Sequence, residues 1–231
     1  MLPLKITFAM KSPIIVDSEA PFHLDALLAS CVCEDAQRLG SDNAWAEADD
    51  LSAYLERATF GDEWVWKASA LQFTAHEGTS FVLSQINMLR RSDPENVYDA
   101  HLRADWDSTR KINPATWKID TASGQNRTYQ WIAQMRHISH MTAWCVGDEH
   151  AIRDALSRVG GLGKMRRNGF GRVDSINVES APAHECDHWM LRTMPRGAAG
   201  LPGVAYEPVI SPLRAPYWRK PSAVVAQEPL I

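Results

Sequence analysis

Residues 161–171 read Gly-Leu-Gly-Lys-Met-Arg-Arg-Asn-Gly-Phe-Gly, two Gly-hydrophobic-Gly units five residues apart, with three basic residues between them. Glycine takes up positive φ without steric cost and admits close backbone approach, so such a run fixes a tight connection between two elements. Its flanks say which elements those are. Upstream, Asp148 can cap a helix whose apolar positions Ile152, Ala155, Leu156 and Val159 share one face, and Gly160-Gly161 ends it. Downstream, residues 172–178 read as a closing strand.

The same logic orders the rest of the chain. Leu2, Leu4, Ile6, Phe8 and Met10 alternate with Pro3, Lys5, Thr7 and Ala9, which predicts a half-buried first strand broken by Ser12-Pro13. Leu24, Leu27, Leu28, Cys31, Val32 and Leu39 then share a helical face before Gly40, placing Cys31 in the core and Cys33 off the face. Residues 41–62 are acidic and read as loop with a short helix around 51–57. Residues 64–73 and 81–88 read as strands. Residues 90–127 carry Pro94, Pro114 and Gly124 without a sustained period, the mark of a functional or mobile insertion. Tyr129, Trp131, Ala133 and Met135 alternate, but the parity switches at Ile138 and returns at Met141, which predicts a bulge or bend near 137–140. The expected class is α+β, a ferredoxin-like (RRM-like) β-α-β-β-α-β domain over 1–180 with a long insertion. Residues 181–231, rich in Pro and Gly, form a C-terminal extension expected to wrap the surface.

Composition narrows the function classes. Apolar residues at 45% and charged residues at 23% describe a globular chain rather than a disordered one. No apolar run reaches the ~18–20 residues that span a bilayer, and residues 2–10 are too short and polar for a signal peptide. Four cysteines without C-x-x-C spacing make no disulfide framework. A soluble cytoplasmic protein without a membrane partner is expected. The net charge of −4 hides an asymmetry: residues 1–63 carry twelve acidic and four basic side chains, residues 64–231 sixteen and twenty. Residues 153–172 alone hold six basic residues and one acid. One basic face suits contact with a polyanion.

The glycine segment is where that contact is expected. Exposed N–H groups in such a loop form an anion-binding nest, and Lys164, Arg166 and Arg167 add charge-assisted contacts to phosphate oxygens. It is no Walker loop, because G-x-x-x-x-G-K-[ST] is missing. It is no dinucleotide fingerprint either, because its glycines follow a helix and precede a strand.

The G-h-G-x5-G-h-G pattern before the last strand resembles the signature loop of the RAMP superfamily, the RNA-binding proteins of CRISPR–Cas systems. The segments LPLKITFAMKSPIIV, PFHLDALLA, GDEWVWKASAL, VGDEHAIRDAL, GGLGKMRRNGFGRV and PYWRK, in this order, look like the crRNA 5′-handle-binding subunit of type IV effector complexes. The resemblance covers nearly the whole chain, with residues 90–127 matching poorly. It implies a non-catalytic subunit without metal or other cofactor, which holds the 5′ handle of the crRNA and caps a filament of backbone subunits. It also implies contact with the large subunit, and with target DNA through the complex. On this reading the RNA site comprises Gly161, Gly163, Lys164, Met165, Arg166, Arg167, Asn168, Gly169, Phe170 and Gly171. Lys67 and Ser69, which share a strand parity, join it, with Arg90, Arg91, Arg136 and His137.

Other constellations compete. Superfamily relatives that cleave RNA use a histidine base, so a metal-independent crRNA-processing endoribonuclease built on His137 or His140 is the alternative. His184-Glu185-Cys186-Asp187-His188 lacks the second ligand pair a zinc site needs. Trp64 and Trp66 face one side and suit core or subunit contact better than base stacking. Tyr217-Trp218-Arg219-Lys220 is expected to anchor the tail.

Overall fold

The alternating start of the chain forms strand β1 (Leu2–Met10) in a computed structural model that describes residues 1–16, 21–76, 83–90 (backbone alone) and 129–230. There follow β2 (Ile14–Ile15), α1 (Leu24–Arg38), α2 (Ala44–Asp49), β3 (Arg57–Phe60), β4 (Glu63–Trp66), β5 (Gln72–Ala75), β6 (Leu83–Arg90), β7 (Tyr129–Arg136) and β8 (Ile138–Gly147). Then come α3 (Glu149–Leu156), β9 (Val173–Ser180), β10 (Met194–Pro195), β11 (Tyr206–Pro212) and β12 (Ala223–Pro229). Residues 83–135 make a unit of their own, in which β6 and β7 are neighbours, and the remainder makes another. The unit formed by the remainder holds a four-stranded antiparallel sheet in the order β5-β8-β1-β9. With α1 and α3 as the two crossovers, this α+β arrangement fits the ferredoxin-like plan.

Leu4, Ile6 and Phe8 of β1 lose all exposure, packing with Leu24 and Leu28 of α1 and with Ile152 and Leu156 of α3. Each such side chain contributes roughly 1.5–3 kcal/mol by leaving water. The opposite parity carries Lys5 and Thr7, paired across the sheet with Trp144 and Thr142. The expected interruption near 137–140 falls at His137, between β7 and β8, and the partner strand shifts register between Thr74 and Ala75. Asp148 caps α3 as its position predicts, its carboxylate accepting from the Ala151 amide at 2.8 Å.

Three local expectations are corrected. Cys33 is buried while Cys31 is half-buried and Leu39 exposed, because α2 covers a second face of α1 on which Ala29, Cys33 and Ala36 lie. The helix within 41–62 spans Ala44–Asp49 rather than 51–57. The apolar run 64–73 is not one strand: β4 ends at Trp66, and residues 67–71 cross to β5 through the bridges Ala68 to Cys145 and Ala70 to His23.

The extension does more than wrap. It builds a second sheet, β10-β12-β11, and with Val65 and Val146 forms a second apolar cluster around Trp189, Met194, Leu213 and Ala226. Its lock is Arg192, which has no exposed surface. The guanidinium donates to the carbonyls of Trp66 (2.5 Å), Ala68 (3.0 Å) and Leu213 (2.7 Å), and lies 3.4 Å from the wholly buried Asp25 carboxylate of α1. The Tyr217 hydroxyl donates to Asp25 at 2.9 Å. Burial pushes that phenol well above its ordinary range, so it stays protonated beside the carboxylate.

Tyr217 also stacks on His23, ring centroids 4.1 Å apart. The Thr193 hydroxyl donates to Glu228 at 2.8 Å and lies 3.1 Å from His23 Nε2, so Nε2 carries the imidazole proton. Burial, with the Arg192 charge second, holds His23 well below its ordinary 6.5. The unfolded chain therefore takes up a proton that the folded one refuses. Stability should be constant with respect to this group above pH 6.5 and fall by up to about 1.4 kcal/mol per unit below it. Urea unfolding from pH 7 to 5 reads the slope, and His23→Gln should flatten it.

Candidate functional site

The loop between α3 and β9 is held by the start of the chain. The Gly171 amide donates to the Pro13 carbonyl at 2.7 Å and the Lys164 amide to Ile15 at 2.9 Å, while Leu162 donates to Gly171 at 2.8 Å. The Ser12 hydroxyl donates to the Gly169 carbonyl (2.8 Å) and accepts from the Arg172 amide (2.9 Å). Lys11 donates through its amide to the Arg172 carbonyl at 2.8 Å. Residues 11–15 thus form a cradle that sequence reasoning passed over, having read Ser12-Pro13 only as a strand breaker. The small polar residue before a proline was the available signal.

Inside the cradle the backbone alternates in hand. Met165 is left-handed (φ 60°), Arg166–Asn168 make one 3-10 turn, and Gly169 is left-handed again (φ 90°). Adjacent residues of opposite hand, here Met165 and Arg166, turn their amides toward a common concavity, the geometry of an anion nest. The Asn168 and Gly169 amides donate within the turn to the Met165 and Arg166 carbonyls. Lys164, Arg166, Arg167, Asn168 and Gly169 are exposed around it, Phe170 is half-buried, and Leu162 anchors the loop in the core. Gly161 pairs with Arg172 to close the base, and Gly163 sits against Ile14 and Ile15. Of the expected loop residues, Lys164, Arg166, Arg167, Asn168 and Gly169 are thus exposed together, while Gly161, Gly163 and Gly171 form the base beneath them. Of the other cations in 153–172, Arg158 pairs with Asp35 and Arg153 with Glu149, whereas Arg172 is exposed next to the loop.

The remaining expected residues lie elsewhere. Ser69 is wholly buried, its hydroxyl accepting from the Trp144 amide at 2.9 Å and donating to the Ala70 carbonyl at 2.8 Å. It has no exposed surface, because β4 ends before it and the parity shared with Lys67 does not hold. Lys67 is bound to Glu56 at 2.5 Å and lies 5.8 Å from the Trp189 ring. Arg136 ends β7 and covers the Phe73 ring at 5.4 Å. His137 occupies the break after it. Arg90 ends β6, and Arg91 lies outside the described residues.

Other residues that the sequence singles out are engaged in packing and pairing. Trp66 is buried, and Trp64 lies between Arg57 and Arg214, 4.4 and 4.2 Å from its ring, so the pair belongs to the packing. Glu185 is engaged by Trp144 Nε1 at 2.7 Å and Lys5 at 3.0 Å. Burial raises the Cys31 and Cys145 thiols to about 11 and about 12, leaving neither as a thiolate at neutral pH. Among the described residues no helix is long and apolar enough to cross a membrane.

The family model described as CRISPR type IV associated protein Csf3 matches residues 2–229. The chain belongs to the Csf3 family. The Csf3 match runs from β1 to β12, so the glycine loop, its cradle and the extension all lie within it. No curated protein matches the chain. Csf3 membership gives the chain a type IV CRISPR-associated role.

Proposed function

We propose that this Csf3-family chain is a non-catalytic RNA-binding subunit of a type IV CRISPR ribonucleoprotein. It holds the 5′ handle of the crRNA at the 161–171 loop, caps the filament of backbone subunits and meets the large subunit, while the guide pairs with target DNA for interference. The observation that carries this is the rim of exposed Lys164, Arg166 and Arg167 around a backbone of alternating hand. Amides in such a concavity fix the register of a phosphodiester run, and flexible cations neutralise the phosphates on either side. The contacts read backbone shape, leaving sequence to guide pairing.

Replacing Lys164, Arg166 and Arg167 together with alanine should weaken binding of a repeat-derived RNA. Single-stranded contacts contribute about −0.7 per neutralised phosphate to the salt slope, so three lost contacts should flatten it by roughly 2. Folding should change by no more than ~0.5 kcal/mol, since these side chains are exposed. RNA titrations across salt concentrations, with circular dichroism as control, decide the matter. An unchanged slope in the folded variant would remove the loop from the RNA site. Incubation of the protein with the same RNA without divalent metal should leave it intact, and site-specific cutting would replace this reading with an endoribonuclease.

A further inference from the structure

A groove of about 690 Å³ lies between α1, α2 and residues 215–218. Its floor is made of small side chains, Ala26, Ala29, Cys33 and Ala48, which let the helices approach closely and still leave room above them. Trp45 and Trp218 line it while 65% and 74% exposed. Two exposed indoles in one groove are contact area waiting for an occupant, because tryptophan dominates the energy of buried interfaces.

Charge says what kind of occupant. Among the described residues the charged lining side chains are Glu34 and Asp49, both exposed, with no Lys or Arg. Most of the lining comes from residues 1–63, where acids outnumber bases twelve to four. Such a field repels a phosphate backbone and draws in cations, opposite to the loop at 161–171. We propose that the groove docks a segment of a protein partner that carries apolar anchors flanked by Lys or Arg. The anchors fill the floor, and the cations pair with Glu34 and Asp49 against the faces of Trp45 and Trp218. The proposal rests on Csf3 membership in a multi-subunit system and not on the RNA reading.

The test uses the assembled complex. With p-benzoylphenylalanine in place of Trp45, illumination should cross-link the chain to a peptide of another subunit in which Lys or Arg adjoins apolar residues. Cross-links to RNA alone, to a second copy alone, or to nothing would overturn the proposal. Trp45→Ala with Trp218→Ala should cut incorporation into the complex about tenfold or more. Glu34→Lys with Asp49→Lys, a second surface variant, should do the same by charge. Both should bind repeat RNA as the parent does, whereas the loop variant should lose RNA and keep the cross-link. Undiminished incorporation of the folded variants would count against the groove alone.

Discussion

Gly171→Val is expected to destabilise the chain by about 3 kcal/mol or more and to abolish the proposed RNA binding at the loop. A Cβ at this position would lie 1.8 Å from the Leu162 carbonyl oxygen, and φ is +62°. The obstacle is backbone, itself held by the bond from the Leu162 amide to Gly171 and by the Pro13 clasp, so nothing nearby is free to give. Gly169→Ala is the contrast. Its φ is +90°, but nothing stands within 4 Å of an added Cβ. Only the intrinsic cost of a left-handed non-glycine residue remains, about 1–2 kcal/mol. Thermal unfolding of the two variants separates the effects, and equal losses would mean that close approach at Gly171 does not shape the loop.

The second large effect belongs to Arg192→Met. Removing the guanidinium strands the buried Asp25 carboxylate and the four carbonyl acceptors of Trp66, Ala68, Thr193 and Leu213, so a loss of about 3–5 kcal/mol is expected. The extension should also become the first site of limited proteolysis, since Arg192 ties Leu213 and Tyr217 to α1 and to residues 66–68. Adding Asp25→Asn should cost less than the sum of the two single changes, because the stranded charge is gone. Urea unfolding measures the coupling. Strict additivity, or a single-variant loss near 1 kcal/mol, would show that the extension is held by its apolar cluster instead.

What could be read from the sequence was whatever is decided within a few residues. The β1 alternation, the Asp148 cap and the interruption at His137 are all local, and so is the left-handed backbone that the glycines of 161–171 announce. The errors have a common cause in distant neighbours. Cys33 is buried because α2 lies against its face of α1, and Ser69 because residues 67–71 bridge to other strands. Neither fact is written near those residues. The cradle of residues 11–15 meets the loop across roughly a hundred and sixty positions, as the Ser12 bonds show at separations of 157 and 160. Arg192 lies in a proline-rich tail, and its counterion is separated from it by 167 residues.

That separation has a consequence during synthesis. Asp25 emerges from the ribosome long before Arg192, and at ~5–20 residues per second the 167 intervening residues take roughly ten to thirty seconds. Throughout that interval α1 carries a carboxylate at its first turn without Arg192 to receive it, and β1 waits for its sheet partners until Gly147 completes β8 and Ser180 completes β9. The nascent front half therefore presents an unmatched carboxylate on α1 even once β1 has gained its neighbours, and a chain interrupted before Tyr217 lacks the phenol that donates to Asp25.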